Sequence, residues 1–78
     1  MIRYVCLLAE DRFGARHFEY YVVDRERGER FSISILFPPM FPGSMYEREA
    51  RATERRLWAG IKQRSPGTFF EARGRGWI

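Results

Sequence analysis

Residues 30–37 read RFSISILF, with Phe31, Ile33, Ile35 and Phe37 alternating with Arg30, Ser32, Ser34 and Leu36. A side-chain period of two belongs to an extended chain, so this octet predicts a strand with one buried face. A strand of this kind needs neighbours, and two upstream segments supply them. RYVCLLAE, residues 3–10, and RHFEYYVVD, residues 16–24, are rich in the β-branched and aromatic residues that suit a pleated surface. DRFGA separates the first pair, with Gly14 free to take positive φ, and RERGE separates the second. The prediction is an antiparallel meander.

Register follows from parity. Centring the second hairpin on Arg27 and Gly28 sets Phe31 opposite Asp24, Ile33 opposite Val22, Ile35 opposite Tyr20 and Phe37 opposite Phe18. Centring the first hairpin near Phe13 adds Tyr4, Cys6 and Leu8 to that face. The reverse face then carries Val5, Leu7, Ala9, Tyr21, Val23 and Leu36 beside His17, Glu19, Ser32 and Ser34. A solvated antiparallel face reads polar, and this one does not. Its apolar groups call for cover, from the C-terminal part of the chain or from a partner.

Pro38 and Pro39 end the third strand, because neither can donate a ladder hydrogen bond. Met40 and Phe41 follow, as a lock on the core or an apolar knob for a partner. SMYE at 44–47 fits a capping box, with Ser44 capping and Glu47 reaching back. Tyr46, Ala50, Thr53, Leu57 and Ile61 then form one apolar stripe, widened by Trp58, and the helix fades between Lys62 and Ser65, before Pro66. Residues 68–73 are expected to form a fourth strand, and 73–78 a short, flexible basic end whose Trp77 and Ile78 are free to tuck back. The fold class is α+β: a three- or four-stranded antiparallel sheet with one packed helix, in the order β-β-β-α-(β), as one domain over 1–78.

Charge is uneven. Residues 1–47 hold six Arg against seven acids, whereas 48–78 hold eight Lys or Arg against Glu49, Glu54 and Glu71. The net charge of +4 therefore arises from the C-terminal part. Arg48, Arg55 and Lys62 lie seven apart on one side of the helix, with Arg51 close to that line and Arg73 and Arg75 beyond it. Glu47 with Arg51, and Arg51 with Glu54, have the spacing of intrahelical ion pairs. No zinc finger, helix-turn-helix, GxxG clamp or RNA-reading motif accompanies these cations.

Catalysis has little to work with. His17 is the lone histidine and points to the opposite sheet face from Cys6, so no nucleophile–base pair forms. No segment has the ligand spacing of a structural zinc site, and the glycines make no phosphate loop. No cofactor or metal is expected. The single cysteine excludes an intrachain disulfide framework, and a cytoplasmic location with no membrane span is expected.

These features point to a non-enzymatic small binding protein. Its partner surface is read as Val5, Leu7, His17, Tyr21, Val23, Leu36, Met40 and Phe41, with the arginine-bearing helix steering or rimming the contact. The partner is a protein, acidic or part of a nucleic-acid machine, which such docking would inhibit. The alternatives are direct RNA or DNA binding by the basic helix, and a small structural homodimer.

Overall fold

A computed structural model describes residues 1–78. Strands β1 (Ile2–Glu10), β2 (Arg16–Asp24) and β3 (Glu29–Phe37) form an antiparallel sheet in the order β1-β2-β3. A turn of 3₁₀ helix, Gly43–Met45, leads into α1 (Tyr46–Arg64), and α2 (Pro66–Gly74) follows it. The result is a small α+β domain with a sheet packed against helix, measuring 40 × 20 × 19 Å.

The first hairpin has the expected register, with Tyr4 opposite Val22, Cys6 opposite Tyr20 and Leu8 opposite Phe18. Asp11 organises its turn. One carboxylate oxygen accepts the Phe13 and Ala15 backbone N–H groups at 2.8 and 3.0 Å, and Gly14 takes φ +90°.

The second hairpin differs by two residues. Phe31 pairs with Val22, Ile33 with Tyr20, Ile35 with Phe18 and Phe37 with Arg16. The connection holds Arg25, Glu26, Arg27 and Gly28 rather than a two-residue turn. The Asp24 carboxylate explains the extra length. It accepts the Arg27 backbone N–H at 3.2 Å and the Arg27 guanidinium at 2.8 Å, closing a wider loop. A shift of two preserves parity, so the predicted faces survive although the predicted partners do not.

The core lies between the sheet's inner face and both helices. Ile2, Tyr20 and Val22 meet Leu57, Trp58, Ile61, Phe69 and Ala72, with Tyr4, Phe18, Phe31, Ile33, Ile35 and Trp77 packed around them. A second aromatic knot forms where Phe37 contacts Phe18, Phe41 and Tyr46, with ring centroids 4.8–5.4 Å apart. Phe41 is thus the core lock of the two roles expected for it, whereas Met40 is 91% exposed. The inner face is incompletely covered. α1 lies over β3 and β2, so Cys6 and Leu8 on β1 remain exposed although their parity points them inward.

The helical part departs from expectation in three ways. Ser44 makes no capping hydrogen bond, because the 3₁₀ turn places Met45 at the N-cap of α1. Glu47 pairs with Arg51 instead. Glu47 and Glu49 in the first turn, with Lys62 and Arg64 in the last, still complement the helix dipole.

Secondly, residues 68–73 are helical. Pro66 occupies the first turn of α2, where its missing N–H costs nothing. Thr68, Phe69 and Ala72 fall on one buried side at helical spacing. Thirdly, the C-terminal end is a built turn. Gly76 adopts φ +83°, its N–H reaches the Arg73 carbonyl at 3.0 Å, and the Trp77 N–H reaches Ala72 at 3.2 Å. This paired closure is a Schellman motif, which needs a left-handed residue at that position. It turns Trp77 back onto Tyr4, with ring centroids 6.0 Å apart.

One polar network ties the second hairpin to α2. Thr68 donates its hydroxyl to Asp24 at 2.7 Å, Ser65 and Thr68 hydroxyls lie 2.7 Å apart, and Arg27 also reaches Glu71 at 3.3 Å. Asp24 is 1% exposed. Burial alone would raise its pKa, but the hydrogen bonds from Thr68 and Arg27 outweigh that and hold it below the usual value.

Candidate functional site

The sheet's outer face has no intramolecular cover. Both helices pack on the inner side, and no fourth strand exists to fold over the reverse. Val5, Leu7, His17, Tyr21, Val23 and Leu36 all lie on that face by register. Leu7 is 53% and Leu36 65% exposed, and the other four are half-buried.

Register sorts these residues into rows across the three strands. Arg3, Val23 and Arg30 form one row, and Val5, Tyr21 and Ser32 the next. Leu7, Glu19 and Ser34 follow, then Ala9, His17 and Leu36. Apolar character is therefore concentrated on β1 and the Val23–Tyr21 half of β2. The β3 column is polar until Leu36. Glu19 interrupts the middle of the face, where it accepts the Tyr21 hydroxyl and lies 3.6 Å from His17 Nε2. The hydrogen bond to Glu19 is the main cause of a raised Tyr21 pKa.

β1 is also an edge strand. Its residues 4–9, YVCLLA, contain no charge, proline or glycine. Val5, Leu7 and Ala9 face outward, while Cys6 and Leu8 are exposed on the other side. The opposite edge, β3, carries Glu29, Arg30, Ser32 and Ser34 and ends at Pro38–Pro39. Charges and prolines are the usual protection of a sheet edge, and β1 has none over these six residues.

A broad depression of about 860 Å³ occupies the turn-proximal half of the outer face. Val5, Tyr21 and Val23 line it, with Arg3, Arg25 and Arg30 around them. None of these three arginines makes an ion pair with an acidic side chain, unlike Arg27. Helical periodicity groups the α1 cations and does not reach these three. The signal was in the register: Arg3 and Arg30 flank Val23 from the two neighbouring strands.

The arginines of α1 lie elsewhere. Thr53, Leu57, Trp58 and Ile61 turn toward the sheet, so Arg48 and Arg55 project away from it, and Arg51 and Lys62 stand on the flank of the helical layer. The sheet therefore separates them from the outer face, and they cannot rim a contact made there. Arg51 is paired with Glu47, and Glu54 takes the Tyr4 hydroxyl at 2.8 Å rather than pairing with Arg51. Arg73 is exposed on α2, and Arg75 lies over the Trp77 ring at 5.6 Å while pairing with Glu71.

Cys6 and His17 lie on opposite faces, as parity requires. No group of three or more His, Cys, Asp or Glu side chains converges on a common point, and no helix is long and apolar enough to cross a membrane. Comparisons with protein-family models, with curated proteins and with solved structures give no match to this chain.

Proposed function

We propose that the chain is a non-enzymatic binding module, and that a protein partner docks on the outer sheet face along β1. The observation that carries this reading is the uncovered strip of Val5, Leu7, Tyr21 and Val23, with unpaired Arg3, Arg25 and Arg30 beside it. Aromatic residues and arginine are enriched at protein interfaces, while buried interface centres are poor in acids. Arg3, Arg25 and Arg30 favour a partner with carboxylates around an apolar patch. The partner belongs to a nucleic-acid-handling assembly, and occupying its surface inhibits it. The cations of α1 act at a distance, raising the encounter rate rather than touching the same contact.

Co-purification from the native cell, with and without nuclease, tests this. A stoichiometric protein retained after nuclease, and lost with Val5→Ser/Leu7→Ser, is the expected result. Loss of the partner on nuclease treatment, or its retention by the double variant, overturns the proposal.

The undefended β1 edge favours a second reading, a homodimer made by antiparallel pairing of β1 with its copy. Light scattering across concentration separates the two, since a strict monomer removes the dimer.

A further inference from the structure

A second concavity lies in the helical layer, away from the outer sheet face. It is a groove of about 520 Å³ between α1 and the turn that follows α2. Trp58, Phe69 and Trp77 supply its aromatic lining, and Arg55, Lys62 and Glu54 stand along the α1 wall. We propose that this groove binds an acidic peptide segment in which two carboxylates, three residues apart, flank an aromatic side chain.

Charge sets the sign of the ligand. Arg55 and Lys62 have no carboxylate partner, and the Lys62 ammonium rests 5.5 Å from the centre of the Phe69 ring. They are seven positions apart on the helix, a rise of about 10.5 Å. In a polyproline-type strand, residues three apart share a side and lie about 9 Å apart. Two such carboxylates can therefore meet both cations, with an apolar residue between them over the aromatic lining.

Glu54 argues against a nucleic acid strand here. Its carboxylate lines the same wall beside Arg55 and takes the Tyr4 hydroxyl, so a continuous phosphate ribbon along the wall would be repelled there and a peptide with discrete charges leaves a gap.

The chain has two tryptophans, and both line this groove, so intrinsic fluorescence reads the site directly. The probe is a short end-capped peptide with one phenylalanine set between glutamates three residues apart. Controls replace the glutamates by glutamine, replace the phenylalanine by alanine, or use decathymidylate. The expected result is a saturable change in tryptophan emission, weakened about tenfold by the glutamine replacement and by Arg55→Glu/Lys62→Glu. Circular dichroism of the double variant verifies its fold, since both side chains are exposed. No saturation by millimolar peptide, equal affinity for the glutamine peptide, or tighter binding of decathymidylate overturns the proposal. This groove is independent of the outer face, so either reading can fail without the other.

Discussion

Replacing Asp24 by alanine tests what holds the second hairpin to α2. The carboxylate is 1% exposed and accepts from Thr68 at 2.7 Å, from the Arg27 guanidinium at 2.8 Å and from the Arg27 backbone at 3.2 Å. Arg27 is 38% exposed and keeps Glu71, so its loss is screened and adds little. The Thr68 hydroxyl and the backbone N–H carry most of the cost, at about 1–3 kcal/mol for a bond to a buried charge and about 1 kcal/mol for the other. The sum is about 2–4 kcal/mol. At an unfolding entropy of about 2.1 cal/mol/K per residue, each kcal/mol moves the midpoint by about 6 °C in a domain of this size. Thermal melts followed by circular dichroism should therefore drop by about 12–24 °C. The pH dependence has a defined sign. The folded pKa of Asp24 lies below its ordinary value of 3.8, so its contribution is complete above that value. It is lost as pH falls through the folded pKa, because the unfolded chain takes up the proton first. Asp24→Asn keeps one acceptor, melts between the two, and loses this part of the acid slope. An alanine variant melting within about 3 °C of the parent, or an asparagine variant with an unchanged acid slope, would refute the assignment.

Two further outcomes follow from the same packing. Burial raises the Tyr20 hydroxyl pKa to about 12, and burial with the Glu54 hydrogen bond pushes Tyr4 still higher. Both contributions are intact below the ordinary pKa of 10.0 and vanish as pH rises through the folded values, so urea midpoints should fall above pH 10 and fall less steeply in Tyr4→Phe. Gly76→Ala forces a side chain into φ +83°, costing about 1 kcal/mol or more, and differential scanning calorimetry should show a midpoint lower by about 6 °C.

Period and parity made the sheet legible. RFSISILF, RHFEYYVVD and RYVCLLAE fix which residues share a face, and a two-residue change in one turn leaves that assignment intact. The length of the second turn was hidden because Asp24 sits at a strand end, where its side chain chooses between the ladder and the loop. The capping signal at Ser44 was genuine in pattern, but the three prolines before it deliver the chain as a 3₁₀ turn, which moves the cap to Met45. TFFEAR reads as a strand because Thr and Phe favour strands locally. Pro66 at the start of α2 and the burial of Thr68, Phe69 and Ala72 against α1 and the sheet decide otherwise. Of the expected site, the six strand residues share the outer face by register, with Glu19 between the Val5–Tyr21–Val23 group and His17 and Leu36. Phe41 and the α1 arginines do not, since one is taken into the aromatic knot and the others stand on the opposite layer.

That separation of layers constrains any partner. The domain is about 20 Å thick across its shorter axes, and the outer face and the α1 cations lie on its two sides. A partner seated along Val5, Leu7 and Val23 meets Arg3, Arg25 and Arg30 at contact distance, but Arg48 and Arg55 only across the sheet and core. The Debye length near physiological salt is about 8 Å, so charges that far away are largely screened in the bound complex. They still influence approach at low salt, where screening is weaker. Reversing Arg48 and Arg55 should thus slow association, with an effect that fades as salt rises, while leaving dissociation unchanged. Reversing Arg3 and Arg30 should speed dissociation at every salt concentration. Distant, unshared sites add in free energy, so combining the two pairs should give the sum of their separate effects within about 0.5 kcal/mol. Surface plasmon resonance with the co-purified partner checks both claims. A strong coupling between the pairs would mean that one contact reaches both layers, and the flat docking geometry along β1 would have to be abandoned for a partner that wraps the domain.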